Sequence, residues 1–437
     1  MAYAGTSVYG YFKIHYLIII FYLLFFMKKI YFFMAAMLCW CCVMAQSNEV
    51  KDNLIICNEG NWQSDNGQLS FYDATTGTLT NKWFRTVNNK KLGDTPNDII
   101  QINDDLFAIC VNWSNIIQYI NKKGEDMGAT ENVPNNRRMC TDGTYLYVTS
   151  YAHECGSATF TKGYVAKIDV ASKNVVATCE VGWEPEGIRI YNGKLYVANT
   201  GGYSFSEGHD YETTIQILDA ESMSSIKTID TGCINLYGEM SQAGQYLCIN
   251  SCGDYYEVEP KTIIFDCETE QCHIFNFPCT YNTTDGELFY TVGSYFSYNT
   301  YDYVYYINTI DPSTMTYSEG IYNDVVTNEI RDLTSPYEIY VSPYTKNIYF
   351  TDAGSYASAG YLYGYTPDGT PVFDRQKVYI NPAHIIAFPT ASTPTAIDAI
   401  YGNKSQDNGI TYDLLGRPVD DNYRGIVIKN GKKFIKK

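Results

Sequence analysis

The chain is short of charge, of basic residues and of helix signals, and each deficit narrows what it can be. Only 18% of its 437 residues are charged, and 31 Lys and Arg face 48 Asp and Glu, for a formal charge of −17. Such a surface repels phosphate backbones, so nucleic acid is excluded as a partner. Hardly any segment repeats its apolar residues at 3.6-residue spacing, and Ala, Glu, Lys and Leu do not dominate, which removes coiled coils and helical bundles. There is no Gly-x-Ser-x-Gly elbow, no phosphate loop and no His-Glu-x-x-His. The five histidines include no pair at metal-ligand spacing. Carboxylates are plentiful enough for a calcium ion, yet no spacing singles out a ligand set. The expectation is therefore a protein that is not an enzyme, with no catalytic residue, no resident metal and no cofactor.

A run long enough to cross a membrane is also missing. Tyr16 to Phe26 and Ile30 to Val43 are each shorter than the ~20 residues a span needs, and Lys28-Lys29 divides them. Lys28-Lys29, the apolar run and Val43-Met44-Ala45 before Gln46 instead describe a secretory signal, read best from a start at Met27. A lipid anchor is disfavoured, because Cys39, Cys41 and Cys42 follow Leu38, Trp40 and Cys41 rather than a small residue. Removing the signal leaves eleven cysteines, an odd number. Cys267 and Cys272 flank a short polar turn and either bridge neighbouring strands or stay reduced as small hydrophobes.

What is present is apolar and aromatic. Hydrophobic residues are 45% of the chain and Tyr alone accounts for 42 positions, enough to bury a core and to exclude a disordered chain. One pattern recurs: a Pro turn, a short strand, a polar hairpin, a strong Tyr/Val strand, a long variable loop, a strand ending in Asp, a polar turn and a last strand. The clearest copy runs from Glu184-Pro185-Glu186-Gly187-Ile188 through the Asn192-Gly193 hairpin to Leu195-Tyr196-Val197, then Ile215 to Asp219 and Ser225 to Ile229. Asp73, Asp169, Asp219, Asp266 and Asp311 each open an equivalent polar turn. Pro96, Pro185, Pro336 and Pro382 sit two, three and one repeats apart for a period of about 45–50 residues. The count predicts an all-β, seven-bladed propeller of four-stranded blades, closed by Ala383 to Phe388 joining the blade begun at Leu54. A pair of β-sandwiches is the alternative, but seven comparable copies are hard to cut that way.

Asn58-Glu59-Gly60-Asn61-Trp62 followed by Asn66-Gly67-Gln68-Leu69-Ser70-Phe71-Tyr72-Asp73 resembles the opening blade of the YncE-like seven-bladed propellers of Bacteroidetes. The turns Gly93 to Ile99 and Asn381 to Ile385 are similar to that family's inter-blade turns. The resemblance covers residues 53–388. It implies a surface-exposed binding protein, since the family includes cobalamin-binding propellers that sit over outer-membrane vitamin transporters.

Past a Thr/Ser/Pro linker, Tyr412-Asp413-Leu414-Leu415-Gly416-Arg417, Gly425-Ile426-Val427-Ile428 and Asn430-Gly431-Lys432-Lys433 resemble the type A C-terminal sorting domain of the Bacteroidetes type IX secretion system. The organisation expected is an upstream extension and signal peptide over 1–45, a propeller over 46–389, a linker over 390–396 and a sorting tail over 397–437. Export to the cell surface, outer membrane or medium follows.

In a propeller, the loops between second and third strands share one face with the inter-blade connections. Here those loops are long and aromatic. The residues expected to contact a ligand are Asn58, Glu59, Trp62, Trp113, Arg138, Tyr151, Glu186, Tyr203, Phe205, Tyr255, Tyr295 and Tyr356. Rings offer large contact area at low entropy cost, and amides and hydroxyls orient what they touch. The function expected is non-catalytic capture of a small-molecule nutrient, a corrinoid such as cobalamin first and a glycan next, with an outer-membrane transporter as a partner. The alternatives are a secreted lactonase- or lyase-like propeller enzyme with an axial metal or a His/carboxylate pair, and a protein-interaction scaffold.

Overall fold

The second strand of each repeat is rich in apolar, β-branched and aromatic residues, as in Leu106–Val111, Tyr145–Ser150 and Lys194–Asn199, and is buried almost throughout. A strand covered on both faces needs no polar alternation. The last strand of a repeat differs. Asn174–Glu180 and Ser224–Asp230 are largely exposed, as expected of an outer edge. Inner strands thus lie towards an axis, and outer strands face solvent.

A computed structural model describes residues 50–157, 159–203, 208–297 and 301–390, with four short strands further on. Within Val50–Thr390 the strands form seven four-stranded antiparallel sheets. The inner strands in ring order are Pro382–Pro389, Pro96–Asn103, Asn136–Thr141, Pro185–Tyr191, Met240–Ala243, Tyr281–Thr284 and Pro336–Val341; they define blades one to seven. This is a seven-bladed propeller. Blade one is built from both ends of the ring. Pro382–Pro389 pairs with Asp52–Asn58, Ile55 opposite Ile386 and Cys57 opposite His384.

Seven apolar clusters hold the described residues together, one at each blade-to-blade interface. Ile55, Leu69, Ile109 and Phe388 pack in the cluster between blades one and two; Tyr349, Leu362, Leu54 and Ile385 pack in that between seven and one. In five blades an Asp ends the third strand and fixes the following turn: Asp73 accepts from the Thr75 amide at 2.8 Å, Asp219 from Ser222 at 2.7 Å and Asp311 from Ser313 at 2.8 Å. Two short helices, α1 (Trp83–Asn88) and α2 (Asp324–Arg331), interrupt inter-blade connections. In α1, Trp83 and Phe84 fill the space left by the three-residue outer strand Thr78–Thr80.

The eleven described cysteines are free thiols, so Cys267 and Cys272 are not bridged. Among the described residues, no helix is long and apolar enough to cross a membrane. The tail strands Thr411–Asp413, Pro418–Val419, Gly425–Lys429 and Lys432–Lys436 form a sheet of their own. The signal segment and the linker lie outside the described residues.

Candidate functional site

One local device builds the face that carries the long loops. The residue after the second strand donates its amide to the carbonyl of the residue just ahead of the same blade's inner strand. The pairs are Glu59 to Asn381, Asn112 to Thr95 and Ala353 to Ser335, all at 2.9 Å, and Tyr151 to Asn135 and Thr200 to Glu184, both at 3.3 Å; in blade five Cys252 donates instead to Asn235, further upstream of Met240, at 2.9 Å. Every acceptor but Ser335 is left-handed, with φ between 43° at Glu184 and 60° at Asn235. In four blades the chain then passes through a left-handed glycine, Gly60, Gly201, Gly253 or Gly354. Two residues on, it presents Trp62, Tyr203, Tyr255 or Tyr356, which are 64%, 50%, 63% and 49% exposed. By the repeat, these four rings occupy equivalent places around one axis.

Other rings complete the rim. Trp62 meets Trp113 edge-on at 5.0 Å, and Tyr151 meets Tyr203 at 5.9 Å. Tyr337, at the head of blade seven, lies 5.6 Å from Tyr356 and 6.5 Å from Tyr281. Its hydroxyl donates to Glu59 at 2.6 Å. Burial raises the Glu59 carboxyl above its ordinary range, against that bond and the charges of Arg138 and Arg137.

Below the rim the inner strands turn charged side chains towards the axis. Register shifts between Pro96 and Asp98, Asn136 and Met139, Pro185 and Ile188, Pro336 and Glu338, and Pro382 and His384 mark the same bulge in five blades. Glu186 is wholly buried. Its Oε1 accepts from Arg137 Nε at 2.7 Å and from the Tyr151 hydroxyl, while Oε2 lies 3.7 Å from Arg138 Nε. The Arg137 guanidinium stands 5.0 Å over the Tyr151 ring, a cation–π contact at the edge of the mouth.

Deeper on the axis, Arg138 Nη1 lies 2.6 Å from His384 Nε2 and donates to the Asn97 carbonyl. Across the ring, His384 Nδ1 is 3.2 Å from Glu338 Oε2 and 3.9 Å from Glu239 Oε2. A cavity of about 190 Å³ opens beside Asp98, Arg189, Glu239, Glu338 and His384. Burial pushes Asp98 up to about 6, opposed by the nearby charge of Arg138. Glu338 is raised well above the carboxylate range by burial, then by Glu239, and His384 is pushed well below its ordinary value by burial, then by Arg138 and Arg137.

Glu239, Glu338 and His384 bring one ligand atom each within 4.8 Å of the others, close enough to share a metal ion. The proton positions argue against it. A guanidinium has no acceptor, so His384 Nε2 must accept from Arg138, which puts the imidazole proton on Nδ1, facing Glu338. A metal on Nδ1 would need that proton on Nε2, aimed at a cation. Metal-bound histidines instead give their second N–H to a carboxylate or carbonyl.

The structure gathers most of the expected residues on one face. Trp62, Trp113, Tyr151, Tyr203 and Tyr356 stand in the rim contacts above, with Glu59 behind Tyr337 and Tyr255 exposed in the equivalent loop of blade five. Glu186 and Arg138 lie beneath them. Asn58 is used up within its own blade and against the outer strand of blade seven. Its amide donates to Ile56 O and Ser70 Oγ, both at 3.0 Å, and its oxygen accepts from Tyr379 N at 3.1 Å. Tyr295 stacks on Tyr306 at 6.0 Å on the long hairpin of blade six, and Phe205 lies outside the described residues. The sequence reading did not list Arg137, Tyr281 or Tyr337 among the contacts. The Gly-x-aromatic recurrence at Gly60, Gly201, Gly253 and Gly354 was a signal that went unused.

No protein-family model matches the chain, and no curated protein does. Solved propellers do. The hydrazine synthase of Kuenenia stuttgartiensis aligns at 13% identity and a TM-score of 0.51, over 68% of this chain and 96% of its own. A Bacteroides fragilis protein assigned as a 6-phosphogluconolactonase aligns at 11% and 0.52, over 78% and 99%. A quinoprotein alcohol dehydrogenase-like protein of Bacteroides thetaiotaomicron aligns at 13% and 0.50, over 77% and 78%. At such identities the likeness carries the fold, which hosts both enzymes and binding proteins.

Proposed function

We propose that this chain is an exported, non-catalytic binding protein that captures a nutrient on the aromatic-rimmed face of its propeller, with an outer-membrane transporter as its partner. The observation that carries the reading is the rim itself: half-exposed rings on one face, set around a mouth whose floor is the Arg137–Glu186–Tyr151 cluster. Exposed rings bind flat or bulky ligands, and a prepaid polar floor orients them. The resemblance to YncE-like propellers makes a corrinoid the first candidate, and a glycan is next. Export rests on the signal pattern of Lys28 to Ala45 and on the resemblance of the C-terminal tail to a sorting domain.

Titration of the purified protein with cobalamin, read by Trp fluorescence and calorimetry, tests this. Saturable one-to-one binding is expected, with quenching that involves Trp62 and Trp113. Trp62→Ala and Trp113→Ala should each weaken it by about 1–3 kcal/mol. Absence of heat and quenching at high micromolar cobalamin sinks the corrinoid, and unchanged affinity in both variants removes the rim as the face.

The His384–Glu338–Glu239 cluster favours one second reading, a lactonase- or lyase-like enzyme with an axial base. That reading requires turnover of a lactone or uronate substrate that Glu338→Gln abolishes, and metal retained through purification if an ion takes part.

A further inference from the structure

We propose that the cleft between blades six and seven is a subsite for a single uncharged pyranose ring. It rests on the reading of this face as a ligand-binding surface and narrows the chemistry. The cleft holds about 290 Å³ and opens beside the rim. Tyr281, Tyr303, Tyr305 and Tyr356 line it together with the small polar residues Ser294 and Thr334. Among the described residues that line it, no side chain is charged.

Each property selects the ligand. The volume lies at the small end for a ligand site, room for one sugar ring and too little for a macrocycle. Phenol rings take the C–H faces of a pyranose, while phenolic and aliphatic hydroxyls, each donor and acceptor, match its equatorial hydroxyls. A flat apolar ligand would offer no partner to the Ser294 and Thr334 hydroxyls. An anionic one would lose its water with no cation in the walls to replace it.

The cleft also connects to the mouth. Tyr281 and Tyr356 both contact Tyr337, whose hydroxyl reaches Glu59. A ring seated there would therefore continue, as a longer chain, towards Trp62. Tyr356 adopts φ 61°, a conformation that a bulky side chain enters only when its surroundings impose it. Here the turn aims the ring at the cleft.

Saturation-transfer NMR on the full chain tests the proposal, with D-glucose, D-galactose and D-mannose at millimolar concentration as probes and D-glucuronate as the charged counterpart. Transfer to the ring protons of at least one neutral hexose is expected. Tyr303→Ala and Tyr356→Ala should each weaken it at least tenfold, roughly the loss of one central contact. Tyr356→Phe, which keeps the ring, should bind nearly as well and guards against a folding defect. Tyr344→Ala, on the opposite face, should match the parent.

No transfer from any of the three hexoses overturns the proposal, as does transfer indifferent to both alanine variants. Glucuronate binding as well as glucose does so too. Cobalamin binding without hexose transfer would remove the cleft and leave the rim. Hexose transfer without cobalamin binding would remove the corrinoid alone.

Discussion

Two buried guanidinium groups share one carboxylate at the floor of the mouth, and that ratio defines what Glu186 does. Its side chain is fully buried, while those of Arg137 and Arg138 are 14% and 13% exposed. Neither cation can lose its proton. Glu186→Gln keeps the shape and removes the counter-charge, so urea unfolding should show a loss of about 3–5 kcal/mol. A loss below about 1 kcal/mol would mean that water reaches the pair. His384 makes a pH prediction. Its folded value lies well below 6.5, so below pH 6.5 the unfolded chain takes up a proton that the folded chain refuses. Its contribution to stability is lost as pH falls through 6.5. Asp98, raised to about 6, acts in the other direction. Its contribution is complete below the unfolded carboxyl value and lost as pH rises through about 6. The two slopes oppose each other between roughly pH 4 and 6. His384→Asn removes one of them, so the variant should gain on the parent by up to about 1.4 kcal/mol per unit below pH 6.5. A constant difference from neutral pH to about pH 5 would show that the ring is not held neutral. Arg138 and Glu186 were legible as candidate contacts in the sequence, because each lies at a recognisable inter-blade turn. The sequence did not single out Arg137, since the bulge between Asn136 and Met139 lets adjacent residues both reach the mouth, and no composition rule announces a bulge.

At the scale of elements, the left-handed glycines separate two costs that usually come together. Gly253 has φ 64°, and a Cβ there would stand 1.9 Å from the Val258 carbonyl oxygen. Gly193, in the blade-four hairpin, has φ 74° with open space around it. Gly193→Ala should therefore cost only the left-handed penalty, about 1–2 kcal/mol. Gly253→Ala should cost clearly more, because its loop must also move. Thermal melting of both variants measures the difference, and equal losses would show that the 254–258 turn yields freely. The strands were legible because their signals are local: Asn192-Gly193, the five Asp turns, and runs such as Leu195-Tyr196-Val197. The two helices were not. Six and eight residues are too few for a 3.6-residue repeat to stand out, and α1 owes its place to Trp83 and Phe84 filling a gap that only the finished blade creates. The length of the Phe289–Ser297 and Asp302–Asp311 hairpin, which walls the blade-six side of the cleft, escaped for a similar reason. Its tyrosines read equally well as an extended strand or as a loop.

The ring as a whole depends on one strand that the chain supplies last. Spacing of Pro96, Pro185, Pro336 and Pro382 made seven repeats countable, and the unmatched final strand made closure the expected outcome. That strand brings Ile385, Ala387 and Phe388 into the interfaces on both sides of blade one, and it brings His384 to the axis. Burying the two larger side chains contributes about 3–6 kcal/mol, a large part of the 5–15 kcal/mol that holds a typical domain together. Losing the strand also uncovers the backbone of Asp52–Asn58, which then becomes an unpaired edge beside the axis. Ending the chain at Thr390 keeps every strand of the ring and serves as the reference. Ending it at Asn381 should abolish the single cooperative calorimetric transition of that reference and drive association through the open edge. A truncated chain that stays monomeric and melts in one sharp transition would show instead that six blades and an open seventh fold by themselves, and closure would then matter for the axial cluster rather than for the fold.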